Sequence, residues 1–281
     1  MPDPQKLLNT LDKAIDLTQN TPGRKGLLIH LNSGSDILVS GDLHGHIGNF
    51  QKIFSQSQLT KETQRHFVLQ EVVHGNFYYP QGGDKSHQLL DLYAALKCQF
   101  PARVHLLMGN HELSQWQNRL IMKNDRDLNQ CFYDGVMQGY GNYGETIYQK
   151  YMDLIAILPV AIRTANRLWI SHSLPATKYI STFSQAELEK ETITESQYQL
   201  GGEVFAMVWG RNTLEAHVQQ FLRLVDADWL ITGHIPCEQG YNFPNRYQVI
   251  VDCSQSPAAY ALLPLQSEIV PEIFEQSIHP F

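Results

Sequence analysis

The sequence predicts a layered α/β fold. Three observations carry that expectation: β-prone runs at residues 36–40, 105–108, 168–170 and 229–232, a short polar motif directly after each, and intervening stretches whose apolar residues recur at helical spacing. In such folds polar groups gather beyond the carboxyl ends of strands, where loops build a site on a rigid frame. With 281 residues, 43 % hydrophobic and 17 % charged, one large domain spanning residues 1–281 is the default.

Residues 4–19 place Leu7, Leu8, Leu11, Ile15 and Leu17 on a helix-like face that ends at the breaker cluster Asn20-Thr21-Pro22-Gly23, a helical lead-in. Residues 26–31 and 36–40 read as short strands joined into a hairpin by Asn32-Ser33-Gly34-Ser35. Asp42 and His44 follow at once, and alternation on an extended segment puts both side chains on one side. A helix is expected from Ile47 toward Ser55. Another, over residues 85–98, carries Leu89, Leu92, Tyr93 and Leu96 and stops before Pro101. Residues 113–151 are rich in Asn, Gln, Tyr and Gly, residues 177–202 read as an exposed helix plus loop, and strands at 247–252 and 259–263 close the domain. No internal repeat or low-complexity segment interrupts this order.

Charge and composition narrow the classes of partner. A formal net charge of −7 without a Lys/Arg stripe argues against nucleic acid and against anionic membrane surfaces. The opening Met1-Pro2-Asp3-Pro4-Gln5-Lys6 has no apolar core for secretion, and no later run approaches the ~18 to 20 apolar residues of a membrane span, so a cytoplasmic location is expected. Cys98, Cys131, Cys237 and Cys253 form no Cys-x-x-Cys pair, which fits reduced, mostly buried thiols.

The motifs carry the chemistry. Gly41-Asp42-Leu43-His44-Gly45, Gly109-Asn110-His111-Glu112, Ser171-His172 and Gly233-His234 offer carboxylate, amide and imidazole donors without a thiolate, a set suited to borderline divalent ions such as Mn, Fe and Zn. Four strand ends delivering such groups point to a hydrolytic dinuclear centre. A satisfied core histidine is the competing reading of His172, and an ordinary surface charge that of Arg211. His46, His74 and His87 are left out of the candidate site.

These motifs, together with Phe100-Pro101-Ala102-Arg103-Val104-His105-Leu106-Leu107, Leu158-Pro159 and Val208-Trp209-Gly210-Arg211, resemble the calcineurin-like metallophosphoesterases. Within that superfamily the chain is most similar to the phosphoprotein phosphatase family of serine/threonine phosphatases and its bacterial relatives, over a motif core of about residues 36–263. The resemblance implies a central β-sandwich flanked by helices, with residues 113–151 as a helical insertion at the substrate mouth. It implies one metal on Asp42 and His44, a second on Asn110, His172 and His234, and a bridging acid from the second motif. Two divalent ions are expected, manganese first, with iron or zinc as alternatives. The implied activity is hydrolysis of phosphomonoesters, in a phosphoprotein or a small phosphoester, by attack of a metal-bridging hydroxide. His111 would be the general acid, and Asn110 and Arg211 would contact phosphate.

The chain departs from the family in its second motif, Gly-Asp-x-x-Asp-Arg-Gly, where Gln70-Glu71-Val72-Val73-His74-Gly75-Asn76 stands instead. Glu71 is the expected bridge, its extra methylene moving the oxygens by about an ångström in a centre whose metals sit ~3.5 to 4 Å apart. His74 replaces the acid that orients the histidine of the Asn-His-Glu motif and cannot act as that anion. Residues 77–83 read as an insertion, after which Asp84 is the substitute orienting carboxylate or an alternative metal ligand. Met108 stands where relatives carry another Arg, and Ser173-Leu174 replaces glycines after His172. Two further functions stay open: a nucleotide or dinucleoside polyphosphate hydrolase, and a degenerate member that binds phosphate or a partner without turnover.

Overall fold

Both faces of the central strands are apolar, and this dictates the layering. In Ile37-Leu38-Val39 the first and third residues pack into one buried cluster and Leu38 into another; Leu168 and Ile170 likewise part from Trp169. Strands buried on both faces must be covered on both. The computed structural model describes residues 3–281, so Met1 and Pro2 of the opening segment lie outside the described residues.

Chain order begins with α1 (Pro4–Gln19), β1 (Arg24–Lys25), β2 (Leu28–Leu31), β3 (Asp36–Asp42), α2 (Ile47–Ser57), β4 (Arg65–Gln70), α3 (His87–Gln99) and β5 (Val104–Leu107). It continues through α4 (Asn110–Trp116), β6 (Met122–Lys123), β7 (Arg126–Asp127), α5 (Leu128–Tyr140), α6 (Gly144–Ala156), β8 (Ala161–Thr164), β9 (Leu168–Ser171), α7 (Gln185–Leu188) and α8 (Glu195–Tyr198). The last third holds α9 (Glu203–Trp209), α10 (Glu215–Leu224), β10 (Trp229–Thr232), β11 (Tyr241–Asn245), β12 (Gln248–Val251), β13 (Ala259–Pro264), α11 (Pro271–Glu275) and β14 (Ile278–Pro280).

One sheet has the order β1-β2-β8-β9-β10-β12-β11 and the other β14-β13-β3-β4-β5. The side chains of Ile37, Val39, Val68, Leu107, Leu168, Ile170, Ile231 and Val249 form the apolar layer between them, as two inward-facing sheets require. Helices cover the outer faces, α1 resting on α3 and α6. Asp3 caps α1 by accepting from the Lys6 amide at 2.9 Å, the ordinary role of an N-cap aspartate. Because β3, β4 and β5 are parallel, and β9, β10 and β12 are parallel, each sheet gathers carboxyl ends at one edge. A parallel bridge between Asp42 and Asp252 joins the two edges.

The layered α/β expectation agrees with this architecture, but its hairpin does not. β2 pairs with β1 and β8, whereas β3 pairs with β4 and β13, so residues 32–35 carry the chain from one sheet to the other. Turn residues report a bend; the long-range partner decides whether the bend returns to its neighbour or crosses the sandwich. The two late strands likewise fall in different sheets. Residues 177–202 are less exposed than their polar composition suggests, since Ile180, Phe183, Leu188 and Tyr198 are buried at irregular spacing. Of the four free thiols, Cys237 and Cys253 are buried while Cys98 and Cys131 are half-buried. Among the described residues no helix is long and apolar enough to cross a membrane.

Asn49 on α2 ties the helix to the loop after β12. Its buried Nδ2 donates to the carbonyls of Cys253 and Gln255, each at 2.9 Å. Asn49→Ala should destabilise the fold by about 1–3 kcal/mol, because the buried Cys253 carbonyl loses its donor and the part-buried bond to Gln255 is lost with it. A urea midpoint equal to that of the parent protein would refute this role.

Candidate metal centre

Five strand ends deliver side chains to one place. Asp42 ends β3, Glu71 follows β4, Asn110 and His111 open α4 just beyond β5, His172 follows β9 and His234 comes two residues after β10. The glycines of two motifs are there for room. A Cβ on Gly109 would lie 2.1 Å from Glu71 Oε2, and one on Gly233 would lie 2.1 Å from Asp42 Oδ1. His44 arrives differently from the expectation of an extended segment. Its φ of 42° places it in a left-handed turn, and the amides of Leu43 and His44 both donate to the Glu71 carbonyl, at 2.9 and 3.0 Å. That turn, not strand alternation, aims the ring at the site.

Glu71 is the centre of the arrangement. Its Oε1 lies 3.1 Å from His44 Nε2 and 3.8 Å from His111 Nε2, and its Oε2 lies 3.0 Å from His172 Nε2. Two sets of donor atoms, each within 4.8 Å of one another, share it: His44, Glu71 and His111, and Asp42, Glu71 and His172. This grouping differs from the pairing of Asp42 with His44 read from the sequence, because Asp42 Oδ1 turns toward His172 Nδ1 at 3.3 Å. Asn110 Oδ1 and His234 Nδ1 reach His172 Nε2 at 2.9 and 3.0 Å. All six expected ligands thus come together.

The donor set fits divalent cations. His44 Nδ1 lies 2.9 Å from the Val73 carbonyl, so it carries the ring proton and leaves Nε2 as a lone pair facing a carboxylate. His172 Nε2 meets Glu71, Asn110 and His234 at once, and one N–H cannot serve three acceptors. His234 Nε2 is buried without a hydrogen-bond partner, and the buried Asp42 Oδ1 and His172 Nδ1 have only each other, at 3.3 Å. Lone pairs converging on one another in a buried site call for a cation between them.

Without metal, protons supply that charge. Burial opposes a charge on His44 and His172, but Glu71 and Asp42 outweigh it, raising them to about 9 and about 10. Burial also works against the Glu71 carboxylate, yet His172 holds it well below the usual range. Burial lowers His111 to about 3 and, helped by His172, His234 to about 2. Burial and then Glu71 lift Glu112 to about 7. Glu112 braces two loops: Oε1 accepts from the amides of Val72 and Val73 at 2.7 and 3.1 Å, and Oε2 from Gly109 at 3.1 Å.

Asp84 takes neither role considered for it. Its carboxylate accepts from the amides of Gly75 and Ser86 and from Ser86 Oγ, at 3.0, 2.8 and 2.7 Å, which closes the loop of residues 75–86. The partner of His111 is instead His74, nitrogen to nitrogen at 2.8 Å. His74 is buried, as is His87, while His46 caps α2 by accepting from the Asn49 amide at 3.1 Å. Met108 is fully buried in the core and does not face the site. Arg211 is exposed and lines a cleft of about 410 Å³ above the cluster, with Asn76, Ile121, Met122, Lys123, Leu128 and Asp252. Sequence reasoning missed Lys123 and its apolar neighbours, because the two-residue strands of the β6–β7 ribbon have no periodicity to read.

Residues 35–238 match the model of the calcineurin-like phosphoesterase family, so the chain belongs to that family. It is 24 % identical over 275 residues to a probable serine/threonine-protein phosphatase of Encephalitozoon cuniculi, covering 89 % of this chain and 55 % of that protein. A serine/threonine-protein phosphatase of Caenorhabditis elegans is 21 % identical over 225 residues, 74 % of this chain and 44 % of its own length. The chain therefore spans about half the length of these curated relatives. Among solved structures, a protein serine/threonine phosphatase from Saccharomyces cerevisiae superposes with a TM-score of 0.74 at 15 % identity, covering 100 % of this chain and 90 % of that one. A cold-active protein-tyrosine phosphatase of Shewanella gives 0.61 at 15 % identity over 88 % and 79 %.

The raised histidines have a defined pH signature. Protons on His44 and His172 stabilise the metal-free fold fully below the ordinary histidine value of 6.5, and that contribution is lost as pH rises through about 9 and 10. Manganese uptake at pH 7.5 should accordingly release about two protons per chain, measured with an indicator in weak buffer. Release of none would show that the cluster does not hold its charge in this way.

Proposed function

We propose that the protein is a metal-dependent phosphomonoesterase acting on phosphoserine or phosphothreonine in proteins. The observation that carries this reading is the convergence of Asp42, His44, Glu71, Asn110, His172 and His234, with Glu71 common to both donor sets, beneath a cleft lined by Arg211 and Lys123. Asp42, His44, Glu71, Asn110, His172 and His234 would together hold two divalent ions with Glu71 common to both, manganese before iron or zinc. When bound, such a pair supplies Lewis acidity, which acidifies water and neutralises charge on phosphoryl oxygens.

The chain's own residues do the rest. Arg211, whose guanidinium has no hydrogen-bond partner among the described residues, presents a fork that matches phosphoryl oxygens, and the Asn110 amide adds a neutral donor. His111 stands beside Asn110 with Nε2 toward the cluster and passes a proton to the departing alkoxide. It is neutral in the free protein, and the charge of a phosphoryl group in the cleft raises its affinity for the proton it must carry. A polyphosphate with a purine base fits less well, since the described lining residues include no aromatic ring apart from histidine to stack on the base. Convergent buried donor atoms also favour an active enzyme over a binding-only member.

Manganese loading should bring two ions per chain, read by elemental analysis. Asp42→Asn and His234→Ala should each lower kcat/KM on a phosphoserine peptide by at least about 100-fold, the upper end of what outer partners of metal ligands cost, with the circular dichroism spectrum retained. Activity equal to the parent in either variant would reject the site, and faster turnover of a dinucleoside polyphosphate than of the peptide would reject the substrate. Glu71→Gln should lose metal and turnover together, while Glu71→Asp keeps part of both.

A further inference from the structure

We infer that His74, held by Gln115, is the positioning residue that sets the tautomer and direction of His111. The inference rests on the proton-carrying role proposed above for His111, and it begins from three contacts made by the buried side chains of His74 and Gln115. His74 Nε2 lies 2.7 Å from Gln115 Oε1, His74 Nδ1 lies 2.8 Å from His111 Nδ1, and Gln115 Nε2 donates to the Tyr148 hydroxyl at 3.0 Å. His74 and Gln115 are 3 % and 2 % exposed, so water does not compete for these bonds.

Proton counting fixes the polarity. An amide oxygen only accepts, so His74 Nε2 carries its ring proton. A neutral imidazole has one such proton, and burial, which lowers His74 to about 4, keeps the ring neutral. Its Nδ1 is then an acceptor, and His111 must donate Nδ1–H to it. That leaves His111 Nε2, the atom 3.8 Å from Glu71 Oε1, as the one that faces the cluster and takes up or gives a proton. The ring planes cross at 72°, and Phe132 packs edge-on against His74 from another side, so the angle of approach is fixed as well. His74 holds this place at a φ of 60°, a left-handed conformation that a non-glycine residue seldom adopts.

The arrangement orients His111 through a neutral acceptor. Glu71 and Asp42 already load the site with buried negative charge, and this pair adds none. It also explains how the chain works without an acid at position 74, where the sequence departs from its relatives. Replacement by Asp should preserve the geometry, because an Asp Oδ stands as many bonds from Cβ as His Nδ1 and accepts the same proton.

Two measurements on the full chain test the inference. Long-range ¹⁵N–¹H correlation spectra of the metal-free protein at neutral pH should show His74 protonated on Nε2 and His111 on Nδ1. In Gln115→Leu the His74 signal should become a mixture of tautomers. A parent spectrum with His74 protonated on Nδ1 would overturn the inference whether or not the protein turns over any substrate. In kinetics, His74→Leu should lower the ratio of kcat on an alkyl phosphate to kcat on an aryl phosphate by at least about tenfold, because only the alkoxide needs a proton. His74→Asp should restore that ratio to within about threefold of the parent, with KM moving less than kcat. An unchanged ratio in His74→Leu would reduce His74 to packing. Absence of any phosphoesterase turnover in the metal-loaded parent would sink the proposed function, and the spectra would still decide the tautomers.

Discussion

Two carboxylates buried among imidazoles at the meeting point of two sheets set the terms for the rest of the molecule. Asp42 and Glu71 are 7 % and 2 % exposed, and His172 beside them is fully buried. An ion taken out of water costs several kcal/mol unless charge and hydrogen bonds replace its hydration. Backbone amides supply part of that replacement: His234 N donates to Asp42 Oδ2 at 2.8 Å and His111 N to Glu71 Oε2 at 3.3 Å. Positive charge must supply the remainder, as shared protons on His44 and His172 or as the divalent ions that the family implies.

This requirement explains the scaffold around the cluster. No single strand could place so many donors together, because successive side chains on a strand point to opposite faces. Parallel strands from two sheets solve the problem by ending at a common edge, each contributing one or two residues. The last few degrees of aim come from local devices. His44, Glu71 and His234 all take positive φ, Gly109 and Gly233 leave space for the carboxylates, and Glu112 ties the loop after β4 to the start of α4.

The altered second motif sits within this frame without breaking it. Glu71 occupies the centre with its longer side chain, Asp84 closes the loop beyond it, and His74 turns inward to His111. With Met108 in the core, the cations lining the cleft are Arg211 and Lys123. Lys123 belongs to the β6–β7 ribbon, and its neighbours Ile121 and Met122 give the same wall an apolar face.

The layered fold, the strand ends and the six converging donors were legible in the sequence because each rests on a short local pattern: a buried strand, a glycine where no Cβ fits, and a metal-binding residue type. Partnership was not legible. Residues 32–35 read as a hairpin turn, yet pairing with β8 on one side and β4 on the other makes them a crossing between sheets. The edge strand β11 buries none of its residues and so shows no apolar run, while β14 and the ribbon β6–β7 are too short for periodicity to register. The assignments of Asp84 and His74 turned on a loop whose course is decided by hydrogen bonds to Gly75, Ser86 and Gln115. Residue type determined which atoms could bind a cation or carry a proton. Only tertiary packing decided which of them share one buried volume, because in low dielectric a displacement of one hydrogen-bond length separates a partner from a bystander.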